Sequence, residues 1–265
     1  MKLIPWKLTI PSRGRPNVQH TLNALPEWIR RRTFLFVRSD EFGAYYVATK
    51  GTGAHLIRIP DSCTNLGTTR QFILDQCGTG KIIMSDDDLR FFRRTRENKF
   101  TGMGPDDWTA LVSGIASSLD THGLVGIPGR FLANNLPRVG VVNTRIACFF
   151  GINVDMARRV GARYGDILVQ VDHDFNLQLL TRGVPNYVIT EYTHDQTFDS
   201  PGGCQNYRTA ASLAEASQQL AARFPGLVTT FVKKSKSTFK TMKGERLEVR
   251  IAWKKAFKHD HNHHP

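Results

Sequence analysis

The sequence predicts an α/β fold, a mostly parallel sheet flanked by helices and followed by a basic C-terminal region. Two observations carry the prediction. Short apolar runs bounded by polar turns recur at Lys7–Ile10, Thr33–Val37, His55–Ile59 and Lys81–Ser85, and each has the length of a buried strand. Helical patterns stand between them, and strands that alternate with helices at this spacing build parallel sheets. In such sheets the functional edge lies at the C-terminal ends of the strands.

Taken in order, the first helical pattern, Asn17–Leu25, stops at Pro26, and Thr68–Cys77 stops at Gly78, a residue type favoured just past a helix end. Gly104-Pro105-Asp106-Asp107-Trp108 opens an amphipathic helix that ends near Gly123. Its Trp108, Leu111, Val112, Ile115 and Leu119 share a face and read as core. Residues 124–151 are rich in Gly and Asn, with Val139–Val142 and Ile146–Phe150 as strand candidates, and are expected to form an irregular inserted hairpin. A helix over Asp172–Leu180 leads through Gly183 to a strand, Tyr187–Glu191. A Gly-rich loop at 199–204 precedes an Ala-rich helix, Thr209–Phe224, closed by Pro225-Gly226. A strand or hairpin and a frayed His-rich tail are expected to finish the chain.

At 265 residues the chain can bury one substantial core, and 40% hydrophobic with 22% charged residues is ordinary globular composition. Pro5 and Lys7 interrupt any secretory apolar run, and no segment approaches the length of a membrane span, so a cytoplasmic location is expected. Cys63, Cys77, Cys148 and Cys204 lie far apart without C-x-x-C spacing and read as reduced thiols. The net charge of +13 is uneven. From Phe231 to Lys258, ten Lys or Arg face Glu245 and Glu248, a net of +8. A second cluster, Arg90, Arg93, Arg94, Arg96 and Lys99, follows residue 89. Such stripes can be plain solvated surface; a polyanionic partner, nucleic acid first, explains them better.

Three carboxylates, Asp86, Asp87 and Asp88, hang on the end of an apolar strand. Side chains two apart in an extended segment share a face, so Asp86 and Asp88 offer two hard oxygen ligands on one side. That pair suits Mg²⁺ or Mn²⁺ on a diphosphate, and His194 at the end of a later strand is the candidate third ligand. Ser12 and Arg13 follow the first strand, Asp40 the second, and Asp172-His173-Asp174 opens a helix.

Asn65-Leu66-Gly67-Thr68-Thr69-Arg70, running into Gly80 and Asp86–Asp88, resembles the N-x-G-x-x-x-A-R-N … D-x-D stretch of GT-A glycosyltransferases. Val171-Asp172-His173-Asp174-Phe175, with Gln178 and Gly183, is similar to their E-D-x-D-L-x-x-R-L-x-x-x-G helix. Two positions depart: Val171 stands where the family carries an acid, and Gln178 where it carries a basic residue. The opening Ile10-Pro11-Ser12-Arg13-Gly14-Arg15 resembles phage glycosyltransferases found beside TET-type dioxygenases, which are expected to glycosylate 5-hydroxymethylcytosine in DNA.

The resemblance implies a single Rossmann-like GT-A domain over 1–227, with a donor half near 1–103 and an acceptor half near 104–227, then a basic region 228–265. It implies a metal-dependent, inverting enzyme that moves a sugar from a UDP-sugar, with Asp172 as base and Asp86, Asp88 and His194 on Mn²⁺ or Mg²⁺. Ser12, Arg13, Asp40 and Arg70 are expected to hold uridine and ribose, with Arg13 or Arg15 on phosphate and Pro11, Thr68 and Asp87 beside them. DNA falls to Arg93, Arg94, Arg96, Lys233, Lys234, Lys236, Arg250, Lys254 and Lys255. The competing readings are the same chemistry on a polysaccharide, lipid-linked or protein acceptor, and a non-catalytic nucleic-acid binder.

Overall fold

A computed structural model describes residues 6–95, 99–196, 202–235 and 244–258. The four apolar runs are strands β1 (Trp6–Pro11), β2 (Thr33–Arg38), β3 (His55–Ile59) and β4 (Lys81–Ser85). They lie in the order β3-β2-β1-β4 with every pairing parallel. Parallel neighbours need long crossovers. Helices α1 (His20–Ala24), α2 (Glu27–Arg30), α3 (Phe42–Thr49) and α4 (Leu66–Cys77) occupy them. The sheet is covered on both faces, and its strands show it: Ile82 and Met84 join one core while Ile83 joins the other.

Residues after β4 depart from expectation. The basic cluster at 89–94 is a strand, β5 (Leu89–Arg94), paired with β6 (Phe100–Gly102). Helix α5 (Pro105–Ser118) follows as predicted, with Trp108, Leu111, Val112 and Ile115 buried. The segment 124–151 is not an inserted hairpin. It supplies β7 (Leu124–Gly126), the short α6 (Arg130–Ala133), β8 (Val141–Val142) and β9 (Phe149–Asn153) to the body of the fold. Gly126 and Gly151, which read as loop residues, sit inside strands where Ile146 and Ile115 press on bare backbone.

Helix α7 (Val154–Arg159) and helix α8 (Val171–Leu180) come next. The predicted strand 187–191 divides into β10 (Asn186–Val188) and β11 (Tyr192–Gln196), which join different sheets. The large sheet therefore runs β3-β2-β1-β4-β9-β7-β10-β8, with β9 antiparallel to both its neighbours, while β11-β5-β6 forms a small antiparallel sheet.

Helix α9 (Ala210–Arg223) leads to the hairpin of β12 (Val228–Ser235) and β13 (Gly244–Ile251), then α10 (Trp253–Lys258). Val228 and Ala256 are buried in the same core as Met84 and Phe175, so the basic region is packed against the body of the fold. Arg96, Lys236 and the His-rich tail lie outside the described residues. Among the described residues, no helix is long and apolar enough to cross a membrane.

Candidate active site

A cavity of about 550 Å³ opens where the C-terminal ends of β1, β2 and β4 meet the N-terminal end of α8. The turn after β1 forms one wall. Gly14, at φ 68°, takes a left-handed conformation that favours glycine, and its N–H donates to Glu41 at 2.7 Å. The turn brings Ser12 and Arg15 onto the aspartate triplet. Ser12 Oγ donates to the Asp87 carboxylate, and Arg15 Nη1 donates to Asp87 at 2.6 Å and Asp88 at 3.1 Å. Tyr45 completes the knot, its hydroxyl 2.7 Å from Ser12 Oγ and accepting from the Arg15 N–H at 3.0 Å. Burial pushes the Tyr45 phenol up to about 12, which keeps it a proton donor.

Burial also raises the Asp87 and Asp88 carboxyls, against the pull of Arg15. Thr21 of α1 fixes the triplet from behind, its hydroxyl donating to the Asp86 carbonyl at 2.6 Å and accepting from the Leu89 N–H at 3.0 Å.

Arg70 does not line the cavity, contrary to its expected place on uridine; it is fully buried beneath it. Its guanidinium spans Asp86, at 2.8 Å, and Asp172, and so ties the strand-end triplet to the first turn of α8. A planar fork suits two carboxylates at once. Burial pushes Asp86 up to about 6, with Arg70 opposing and Asp172 and Asp88 assisting. Asp172 faces the cavity from a helix N-terminus, where the peptide dipole favours an anion.

Pro11, Ser12, Arg13, Arg15, Asp86, Asp87, Asp88 and Asp172 all line the cavity. Three further expected residues do not. Asp40 is exposed and paired with Arg38 at 3.1 Å, and Arg38 lines the wall in its place. Thr68 is consumed in a reciprocal cap with Asn65 at the start of α4, a structural use of the motif, and Asn65 and Thr69 face the cavity instead. His194 is only 5% exposed in the small sheet, with its ring hydrogen-bonded to the Ala147 backbone and its Nδ1 without a partner. Burial lowers it to about 4, so it is neutral.

Among the described residues, no three His, Cys, Asp or Glu gather as a metal-holding set, so His194 does not join the triplet. Asp86 and Asp88 remain as a hard-oxygen pair on the cavity wall, a donor set that fits Mg²⁺ or Mn²⁺ sharing a diphosphate.

Several wall residues were not among the expected site residues. Arg145, Gln170 and His173 line the cavity, and so do Cys204, Tyr207, Arg208 and Arg246. They come from four separate segments, and only the fold unites them. Among the described residues, the predicted basic residues lie off this wall, and six of them have protein partners. Arg93 pairs with Asp107 at 3.3 Å, Arg94 donates to the Leu136 carbonyl at 3.0 Å, and Lys233 and Lys234 each lie 3.6 Å from Glu248 and Glu245. Arg250 lies over the Phe231 ring, and Lys255 reaches the Gly226 carbonyl at 3.4 Å.

The family model of the TET-Associated Glycosyltransferase matches residues 6–203, from β1 through the far wall of the cavity. The chain belongs to this family. This chain is 26% identical over 211 residues to a beta-glucosyl-HMC-alpha-glucosyl-transferase of Enterobacteria phage T2, covering 72% of each. It is 25% identical over 239 residues to the protein of the same name from Enterobacteria phage T6, covering 83% of this chain and 81% of that one. Solved structures agree on the GT-A fold. TarS 1-349 of S. aureus, in complex with UDP-GlcNAc, superposes with TM-score 0.55 at 8% identity, over 82% of this chain and 65% of that one. The glucosyl-3-phosphoglycerate synthase of Mycobacterium tuberculosis superposes with TM-score 0.50 at 10% identity, over 93% and 86%.

Proposed function

We propose that this TET-associated glycosyltransferase moves a sugar from a UDP-sugar to a hydroxyl carried by 5-hydroxymethylcytosine in DNA, and that the donor diphosphate is held with Mg²⁺ or Mn²⁺ on Asp86 and Asp88. The observation that carries the reading is the Arg70 link, which sets a carboxylate pair for the donor and a separate carboxylate, Asp172, on one cavity. Relatives support the partners: the phage proteins are named for HMC, and the mycobacterial synthase was solved with Mn²⁺ and UDP.

A divalent ion supplies charge neutralisation for the departing diphosphate. The chain supplies the rest. Ser12 and Arg13, with Arg38 in the place expected for Asp40, form the nucleoside end of the cavity. Asp172 accepts the proton of the attacking hydroxyl. An ordinary carboxylate is a feeble base toward an alcohol at rest; it serves because the proton transfers late, as bonding to the sugar acidifies the hydroxyl. Arg70 holds Asp172 in place through their ion pair.

The relatives' name supports a second reading on two points. Their acceptor is a glucose already attached to the base, and their new linkage is alpha. From an alpha-configured UDP-sugar an alpha product means retention, whereas in-line attack assisted by Asp172 gives the beta product.

The test offers UDP-sugars with hydroxymethylated, glucosyl-hydroxymethylated and unmodified DNA, with mass spectrometry of the nucleosides and NMR of the new anomeric proton. We expect one sugar added to a hydroxymethylated substrate, none to unmodified DNA, and loss of UDP binding in chelator or in Asp88→Asn. A beta signal supports Asp172 as base, and an alpha signal supports the second reading. Transfer to a neutral glycan with none to DNA overturns the proposal.

A further inference from the structure

The cavity carries both signs of charge. Its wall holds Asp86–Asp88 and Asp172, and it also holds Arg145, from the segment between β8 and β9, and Arg208, just before α9. Several arginines of the chain are spent on carboxylates: Arg15, Arg38, Arg70, Arg93 and Arg223 all form ion pairs. Among the described residues, Arg145 and Arg208 form none, although both line a cavity rich in aspartate.

Both share the cavity wall with His173, the residue after Asp172. Burial lowers His173 to about 3, and the charges of Arg145 and Arg208 act in the same direction. His173 Nδ1, on the same wall, has no partner. No side chain caps the ten-residue α8, so its N-terminal peptide dipole adds positive potential at His173. Two cations without ion-pair partners and an uncapped helix end, beside the candidate base, describe an anion subsite.

We infer that Arg145 and Arg208 bind the phosphodiester of the target nucleotide itself, on the cavity wall they share with Asp172. The inference rests on the proposed DNA acceptor. The donor diphosphate is the other source of the same chemistry, but the residues that knot the donor wall, Ser12, Arg15 and Asp87, come from β1 and β4 rather than from these segments. A phosphodiester reaches a cavity wall only if its nucleotide enters the cavity, so the target base leaves its stack. Positive charge from this pair also offsets the repulsion between DNA and the four carboxylates of the site, Asp86, Asp87, Asp88 and Asp172.

The experiment uses oligonucleotides with one 5-hydroxymethylcytosine whose two flanking linkages are either phosphates or neutral methylphosphonates. For wild type, neutralising those linkages should raise KM by about tenfold or more, as expected for lost charge-assisted hydrogen bonds. The double variant Arg145→Gln, Arg208→Gln should show a raised KM on the phosphate substrate and no further rise on the neutral one. Its affinity for UDP, measured by calorimetry, should match wild type. A variant as sensitive to neutralisation as wild type overturns the inference, and so does a variant whose loss is in UDP affinity, which would assign the arginines to the donor. Absence of wild-type transfer to the all-phosphate oligonucleotide overturns the proposed function, and is read separately from both.

Discussion

A buried guanidinium shared by two carboxylates on a cavity wall is hard to assemble, and removing it leaves two like charges facing each other. Arg70 holds that position between Asp86 and Asp172. Replacing it with Met should destabilise the fold, by less than the ~3–5 kcal/mol of a fully buried pair because both carboxylates keep some solvent. Arg70→Lys keeps the charge without the fork, and should lower stability and turnover together. Asp172→Asn is the cleaner probe. It should cut transfer by about 10²–10⁴-fold, the usual contribution of a general base, with UDP affinity by calorimetry near wild type. An Asp172→Asn enzyme that retains its rate while Asp174→Asn loses it would move the base to Asp174, which is buried against Arg223 and Gln178. At this scale the sequence spoke through local conflict. Carboxylates crowded at the rim of an apolar strand are visible in a window of nine residues, and all three line the cavity. Arg70 and Asp172 are 102 positions apart, and nothing local distinguishes an arginine that touches substrate from one that holds a carboxylate. Asp40, Thr68 and His194 misled for the same reason: each is a plausible ligand by type, and each is used by a neighbour.

Helix α8 is held from several sides. Gln170 Nε2 donates to Ser217 of α9 at 3.3 Å, Asp174 pairs with Arg223 of α9 at 3.2 Å, and His173 meets the Trp253 ring of α10 edge-on at 5.7 Å. The basic C-terminal segment thus braces the helix that carries the candidate base. Trp253→Ala should open a gap between α10 and α8. Trp253 is only partly buried, so a loss of about 2–3 kcal/mol is expected, below the range for a fully buried aromatic. The specific signature is kinetic: kcat should fall while UDP affinity holds, since the donor wall comes from β1 and β4. Chemical denaturation and initial rates check both, and equal loss of UDP affinity would deny the bracing role. Elements were legible where period and punctuation agreed, as in β1–β4, α5 and α9. They were not where glycine had a packing use, as at Gly126 and Gly151, or where one apolar stretch served two sheets, as β10 and β11 do.

Across the whole molecule the net charge of +13 coexists with a negative cavity wall. A polyanionic acceptor must be held by charge outside that wall, and the surface of β12, β13 and α10 carries it close to α8 through Trp253. Lys233 and Lys234 lie 3.6 Å from glutamates, but both are at least half exposed, and exposed pairs of this kind contribute little. Phosphate can compete for such lysines at small cost. Each contact made should release counterions, so binding of hydroxymethylated duplex should weaken with salt at a slope of about −0.9 per contact. Neutralising Lys233, Lys234, Lys254 and Lys255 together to Gln should flatten that slope by about 2–4 units and lower transfer to DNA at moderate salt. UDP affinity should not change. The variant should also regain part of its transfer at low salt, where the remaining cations act over a longer Debye length. A slope identical to wild type would remove this surface from the DNA path and leave the arginines of the cavity to account for acceptor binding.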